Sequence, residues 1–370
     1  MSQAALVPVA AIAQQAPLPA SASAVASDIA RWNSLRQSDS LPFSAYASFL
    51  ATHRGWPGET AMRRTAERRI DPSSVSAAEV VRYFSVHPPL TAAGHARHAL
   101  ALLAMGEVER ARAVARQAWL EGAMPQADES RLLGAFGAAL SQSDHDARVE
   151  VLLDHGDISG AQRVLPMASV ARRPLFEARI ALKTRAADAP SRVAALGPIA
   201  FEDAGLLMDR ALYLRNTGQS QASRELLARP RRLAAPPRSP HKWLETQVLI
   251  ARAAAADRQW SLAYQIASQI EDAYPAGTDV SQKSFGERDE YTNLAWLGGT
   301  AALRHLGRPA DAARLFELYG RAAQSPQTRT KGIYWAGRAM QQAGQQDRAR
   351  ANFAEAGRHY DQFYGQLALE

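Results

Sequence analysis

The chain has 370 residues, of which 47% are hydrophobic and only 7% aromatic, and its formal net charge is +7. It contains no cysteine, which excludes disulfide bonds, thiolate metal sites and thiol catalysis. No apolar run reaches the roughly 20 residues that a membrane-spanning helix needs, so we expect no transmembrane segment. The basic residues alternate with Glu and Asp, which favours solvated helix faces over a nucleic-acid partner.

The N-terminal residues 1–27 are rich in Ala, Pro and Ser. Leu6 to Ala13 is a short apolar run, and Ala11-Ile12-Ala13 has the small-x-small form of a signal-peptidase site. No Lys or Arg occurs in this stretch, whereas a complete secretory signal begins with a positive charge. We therefore interpret residues 1–27 as the remnant of a signal peptide, or alternatively as a disordered tail, that lies outside the fold.

Residues 28–71 predict a first pair of helices. Ser27-Asp28 is a suitable cap for a helix that carries Ile29, Trp32 and Leu35 on one face. Pro42 marks the start of the next helix, because proline is tolerated in a first turn. The apolar stripe of this second helix consists of Phe43, Tyr46, Ala47 and Leu50. Gly55 and Pro57 then break the backbone, and we expect Trp56 to fold back onto the helix.

From about residue 78 to 360, glycines separate helical segments at irregular spacing. In most cases an Ala follows five residues later, where a second helix would cross the first closely. The pairs are Gly106 with Ala111, Gly156 with Ala161, Gly307 with Ala312, Gly344 with Ala349 and, one residue shorter, Gly218 with Ala222. A further hairpin is expected near Ala256–Trp260. We therefore predict an all-α fold in which irregular tetratricopeptide-like hairpins over residues 28–360 stack into a curved superhelix, U- or ring-shaped.

Residues 228–242 interrupt this pattern with four prolines among basic residues. Proline in a helix interior removes a hydrogen bond and clashes with the preceding turn, so no continuous helix can run through this stretch. We predict an exposed basic connection that is either solvated or in contact with an anionic polymer.

The sequence contains no phosphate-binding loop, dinucleotide fingerprint, His-Glu-x-x-His motif or Gly-x-Ser-x-Gly elbow. His95 and His98 are neighbours on one helix face, but no third ligand accompanies them, and we interpret them as surface or groove histidines. Glu287, Asp289 and Glu290 suit the first turn of a helix, where acidic side chains complement the helix dipole. We therefore assign no catalytic, cofactor-binding or metal-binding residue and expect no cofactor.

Four segments resemble one known family. They are Phe43–Leu50 followed by Trp56-Pro57, Gly286–Gly299, Gly332–Ala339 and Phe363–Ala368. Tyr334-Trp335-Ala-Gly-Arg-Ala and Phe363-Tyr-Gly-Gln-Leu-Ala, in this order, are similar to the N-terminal helical region of the soluble lytic murein transglycosylases. The resemblance covers about residues 28–370, with weaker similarity in the middle.

The resemblance implies a periplasmic protein whose helical region embraces peptidoglycan glycan strands. Enzymes of this family cleave the bond between N-acetylmuramic acid and N-acetylglucosamine without hydrolysis, giving 1,6-anhydro ends. One glutamate, in a Glu-Ser motif followed by a Gly-Leu-Met-Gln-like segment, acts as acid and then as base. The only Glu-Ser pair here is Glu129-Ser130, which has no such segment after it, so we exclude Glu129 as the catalytic residue.

We accordingly expect the chain to be the helical scaffold of such an enzyme without its catalytic domain, with residues 361–370 as the truncated first helix of a linker domain. Whether the chain is an enzyme by itself stays open at this point. The alternative is a periplasmic tetratricopeptide-like adaptor that binds a protein partner and has no enzymatic relative.

Overall fold

A computed structural model describes residues 20–370, and in that part of the chain it contains helices, turns and no strand. The all-α prediction is therefore confirmed. No helix among these residues is both long and apolar enough to cross a bilayer. The α-helices are α1 Ala20–Gln37, α2 Phe43–Thr52, α3 Glu59–Arg68, α4 Ala77–Val86, α5 Ala92–Ala104, α6 Val108–Glu121, α7 Gln126–Phe136, α8 Gln142–Asp154, α9 Ile158–Val164, α10 Arg173–Thr184, α11 Ala189–Ala195, α12 Ala204–Asn216, α13 Ser220–Ala228, α14 Pro240–Ala256, α15 Trp260–Ala267, α16 Phe285–Arg304, α17 Pro309–Ala322, α18 Pro326–Gln342, α19 Gln346–Gly357 and α20 Phe363–Leu369.

The chain divides into two compact units. The first comprises the described residues up to Trp119 together with Met124–Ala139, and the second comprises Leu120–Ala123 together with Leu140–Glu370. In both units, helices that are neighbours in sequence pack against each other, as α4 with α5 do in the first unit and α17 with α18 in the second. This is the pairwise packing that helical hairpins require, since neither helix can bury its apolar face alone.

The first helix starts earlier than predicted. It begins at Ala20 rather than at a Ser27-Asp28 cap, so residues 20–27 are helical and not a disordered tail. Alanine recurs at every second position from Ala20 to Ala26, and alanine is the strongest helix former. Asp28 instead lies 3.2 Å from the His53 imidazole. The remaining part of the predicted signal segment, residues 1–19, lies outside the described residues.

The second helix matches its prediction. Pro42 is the N-cap of α2, and Phe43, Tyr46 and Leu50 are buried. Trp56 folds back as expected, with its ring centroid 5.6 Å from that of Phe49. These side chains form one core together with residues of α3 and α4 in the first unit.

The helix junctions confirm most of the glycine pattern. All five predicted glycines have a positive φ, which L-residues with a Cβ seldom adopt, and each follows the end of a helix. Ala111, Ala161, Ala312 and Ala349 are at most 1% exposed, as the close helix crossings demand. The predicted hairpin near Ala256–Trp260 is also present, between α14 and α15. There Arg258, with a φ of 58°, occupies the position that glycine holds elsewhere.

One junction differs from its prediction. After Gly218 the buried crossing residue is Ser223, five positions on, whereas the predicted Ala222 is exposed. Ser223 is as small as the crossing requires, and its hydroxyl donates a hydrogen bond of 2.8 Å to the carbonyl oxygen of Ala211. This bond satisfies the buried hydroxyl, so serine replaces alanine here without an unpaired polar group.

The proline-rich connection between α13 and α14 is not helical, as predicted, but it is not simply exposed. The Arg231 side chain is 4% exposed, and its Nε lies 2.8 Å from an Asp272 carboxylate oxygen. Its guanidinium also lies 4.9 Å from the centroid of the Trp243 ring. The expectation of an exposed basic loop is therefore wrong for Arg231, because a carboxylate far along the chain compensates its charge.

The C-terminal helix packs on the hairpin before it. Tyr364 of α20 lies 5.5 Å from Tyr334 of α18, measured between ring centroids. Tyr360 and Phe363 are 71% and 64% exposed. Tyr360 lies in the turn before α20, which begins at Phe363.

Candidate functional site

Aromatic and basic side chains gather on one face of the second unit, which we name the Lys331 face. It is built by Trp296 of α16, Phe316 and Tyr319 of α17, and Lys331 and Trp335 of α18. Trp296 lies 5.1 Å from both Phe316 and Tyr319 and 6.3 Å from Trp335, measured between ring centroids. Three consecutive helices thus contribute to it, with Phe316 and Tyr319 buried and with Trp296, Lys331 and Trp335 half-buried.

Glycines bring the helices of this face close together. A Cβ on Gly299 of α16 would stand 2.6 Å from the Phe316 ring. A Cβ on Gly332 of α18 would stand 2.5 Å from the Gly320 backbone of α17. Because no side chain separates the helices at these points, their aromatic residues on the adjoining turns come into contact.

Lys331 has an unusual environment for a lysine. Its ammonium group lies 3.5 Å from the centroid of the Trp296 ring and 5.5 Å from that of Tyr319. Among the described residues no carboxylate pairs with it. Burial lowers the pKa of Lys331 below its ordinary value. The aromatic faces thus stabilise a half-buried cation that is still available for an anionic ligand.

Trp335 continues the face on the other side. The Arg304 guanidinium lies 5.5 Å from its ring centroid. Its indole Nε1 is buried and has no hydrogen-bond acceptor among the described residues. A buried indole N–H without an acceptor is uncommon, since such groups normally find a partner. Aromatic rings beside cations offer flat apolar contact and positive charge together.

Three of the four segments that carry the family resemblance meet at this place, whereas Phe43–Leu50 belongs to the first unit. Trp296 belongs to Gly286–Gly299, and Trp335 belongs to Gly332–Ala339. Tyr334, also of Gly332–Ala339, contacts Tyr364 of Phe363–Ala368. Stretches that are far apart in sequence thus form one contiguous packed region of the second unit.

No sequence motif indicated a role for Lys331 or Trp296. The only available signal was that aromatic residues recur in the resembling segments, and aromatic residues at helical spacing are more often core than site. The position of Lys331 over Trp296 depends on the pairing of α16 with α18 across α17, which no local pattern specifies.

Glu129, the glutamate of the single Glu-Ser pair, is buried in the first turn of α7. Its neighbour Asp128 pairs with Arg97 of α5, with 2.8 Å between carboxylate oxygen and guanidinium nitrogen. The surroundings of Glu129 are therefore those of packed helices. Glu287 forms a capping box with Ser284 at the start of α16, as its predicted first-turn position requires.

His95 and His98 are buried on α5, with 6% and 5% exposure, so their interpretation as surface or groove residues is wrong. The His98 ring lies 5.0 Å from that of Phe84, and burial lowers the pKa of His98 to about 4. In residues 20–370 no group of three or more His, Cys, Asp or Glu side chains has an arrangement that could hold a metal ion.

No protein-family model matches this chain, and no curated protein matches it.

Proposed function

We propose that this chain is the peptidoglycan-binding helical scaffold of a lytic transglycosylase of the soluble murein type, and that it acts in the periplasm. The parent reaction cleaves the bond between N-acetylmuramic acid and N-acetylglucosamine and leaves 1,6-anhydro ends. In this proposal the scaffold holds the glycan strand, and a lysozyme-like domain with its own catalytic glutamate performs the cleavage.

The observation that carries the proposal is the contact among three of the four resembling segments. Gly286–Gly299, Gly332–Ala339 and Phe363–Ala368 contact one another through Trp296, Trp335, Tyr334 and Tyr364. Their contact supports the view that they form one structural unit.

The chemistry of the Lys331 face fits the proposed ligand. The half-buried rings of Trp296 and Trp335 offer flat apolar surfaces for sugar rings. Lys331 offers a cation without a carboxylate partner, which suits the lactyl or peptide carboxylates of a muramic acid strand. We place the glycan-binding surface here.

The test is a pull-down of the purified chain on isolated sacculi. Lys331→Met removes the charge but keeps the length of the side chain over Trp296. We expect about a tenfold weaker binding at low salt, which corresponds to about one lost charge-assisted contact. Lys242→Met is the matched control, because Lys242 is an exposed lysine of α14 that pairs only with Glu245. It should bind as the wild type does.

Equal binding of the Lys331→Met variant and the control would remove the Lys331 face from the proposal. Absence of wild-type binding to sacculi at every salt concentration would contradict the scaffold function itself. That second result would favour the adaptor alternative, in which hairpins such as α8–α9 and α17–α18 bind a protein partner, as tetratricopeptide-like proteins do.

A further inference from the structure

A cavity of about 430 Å³ lies within the second unit, away from the Lys331 face; we name it the Arg179 cavity. Its walls come from α8, α10, the start of α12, the connection Ala234–Ser239 and Trp243 of α14. Its volume is in the range of small-molecule sites and exceeds what one water or ion needs. Nothing in the resemblance or the proposed function uses it.

Charged side chains dominate the lining. Four carboxylates and three guanidinium groups face the cavity, so acidic groups exceed basic ones by one. They are Glu150, Asp154, Glu202 and Asp203, with Arg172, Arg179 and Arg238. A lining of mixed charge with this slight excess does not favour a simple anion or a simple cation.

Arg179 is the buried centre of this arrangement, and its side chain is 2% exposed. Its Nε lies 2.6 Å from Asp209 and its Nη2 lies 2.7 Å from Asp154. Burial alone would lower the pKa of Arg179, but Asp209 and Asp154 raise it above the ordinary value. The third nitrogen, Nη1, has no hydrogen-bond acceptor among the described residues.

Gly205 gives this nitrogen its access to the cavity. A Cβ on Gly205 would stand 2.6 Å from Nη1 of Arg179, so only a glycine fits beside the guanidinium. Both residues line the cavity. Nη1 is not among the fully buried polar atoms that lack a partner, so it opens into the cavity, where it can donate to a ligand oxygen.

The other charged side chains of the cavity differ in whether an oppositely charged group pairs with them. Arg172 lies 2.6 Å from Glu150 and 3.5 Å from Asp203, and Arg238 lies 3.9 Å from Glu150. Glu202 is exposed at the cavity wall, and its carboxylate has no partner among the described side chains. The cavity thus contains one donor that lacks an acceptor and one carboxylate that lacks a cation.

We propose that the Arg179 cavity binds a zwitterionic short peptide, whose carboxylate accepts from Arg179 Nη1 and whose ammonium group pairs with Glu202. A free anion would satisfy Arg179 but meet the surplus of carboxylates. A free cation would leave Nη1 without an acceptor. A ligand with both charges satisfies both groups, and Met208 and Trp243 provide apolar contact for small side chains between them.

The test is calorimetric titration of the whole chain with dialanine and trialanine at low ionic strength. N-acetylated and C-amidated forms of the same peptides serve as comparisons. We expect the free peptides to bind and each blocked form to bind about tenfold more weakly, as the loss of one charge-assisted contact predicts. Salt should weaken the binding only modestly, because the site is partly enclosed.

The decisive variant is Glu202→Gln, which changes an exposed side chain and should fold normally. It should bind free and N-acetylated peptides equally while still preferring a free C-terminus. Glu225→Gln, the same change on α13 outside the cavity lining, should retain the wild-type preference. Absence of peptide binding to the wild type would overturn the proposal. So would a Glu202→Gln variant that still discriminates against N-acetylation.

Discussion

His98 shows how burial alone sets the chemistry of a residue. Its Nε2 is buried without a hydrogen-bond partner among the described residues, and its ring packs beside Phe84. Desolvation is the main reason that its pKa falls to about 4, with smaller contributions from Arg110 and His95, while Glu107 acts in the opposite direction. The folded chain therefore holds this imidazole neutral under conditions in which an unfolded chain would protonate it.

This depressed pKa predicts a loss of stability in mild acid. Between pH 6.5 and about 4 the unfolded state binds a proton at His98 that the folded state rejects, so unfolding becomes easier as the pH falls. From pH 7 to pH 5 we expect the wild type to lose about 1–2 kcal/mol more unfolding free energy than a His98→Leu variant. Urea unfolding of both proteins at the two pH values measures the difference.

Other titrating groups affect both proteins alike and cancel in this comparison. A histidine NMR titration provides an independent check, since the His98 ring should titrate with a midpoint of about 4. A midpoint near the ordinary value of 6.5 would contradict the buried, neutral state.

For individual residues, the sequence predicted little beyond the apolar stripes of the helices. It placed Phe43, Tyr46 and Leu50 in the core correctly, because their spacing is local. It placed His95 and His98 at the surface, because two polar rings on an apolar helix carry no sign of the neighbours that bury them. The prediction that Arg231 is exposed was wrong for the same reason, since its partner Asp272 is distant in the sequence.

Among the helices, close approach of backbones is the most demanding feature. Gly320 of α17 and Gly332 of α18 face each other so closely that a Cβ on Gly332 would stand 2.5 Å from Gly320 atoms. Gly134 of α7 is a contrasting case. It is also helical, but a Cβ there would meet no heavy atom within 4 Å.

Gly332 and Gly134 should therefore respond oppositely to substitution by alanine. Gly332→Ala should lower the unfolding free energy by about 3 kcal/mol, because backbone atoms cannot move aside as a side chain can. Gly134→Ala should raise it by about 0.5–1 kcal/mol, because alanine restricts the unfolded chain and is a better helix former. Urea unfolding with circular dichroism measures both changes. A neutral effect of Gly332→Ala would contradict the close contact.

The helix junctions were predictable because their chemistry is local. A glycine with positive φ followed by a small residue five positions on is a pattern within one turn of the chain. The pattern did not hold at two junctions, where a different residue occupies the equivalent position. Arg258 adopts the left-handed backbone without being glycine, and Ser223 fills the crossing where alanine was expected.

For the whole molecule, the proposed scaffold function and the net charge of +7 lead to a joint prediction. The chain alone should bind sacculi without releasing anhydromuropeptides. The binding should weaken as salt rises from about 10 mM to 150 mM, since screening shortens the range of attraction between exposed charges. A pull-down over a salt series, with chromatography of the soluble fraction, measures both.

A lytic transglycosylase that retains its lysozyme-like domain is the positive control for product release. Anhydromuropeptides from this chain alone would contradict the proposed division between scaffold and catalyst. Salt-independent binding would leave the scaffold function standing but remove its electrostatic component.

The all-α class followed from composition and helical periodicity, both of which are properties of the entire sequence. The curved superhelical arrangement remains a prediction, because it depends on small angles between successive hairpins that no residue pattern encodes. The Lys331 face and the Arg179 cavity were not foreseen for a related reason. Each joins side chains of three or more helices, such as Lys331 with Trp296, or Arg179 with Gly205.

The glycine contact between α17 and α18 also limits how the second unit can move. With backbone against backbone and no side chain between them, these helices have no rotamer change available to let them slide or separate. We therefore expect α17 and α18 to move together in any rearrangement of the second unit. Tyr319 and Lys331, one on each helix, therefore keep their spacing throughout such a motion, so the surface they share is preorganised.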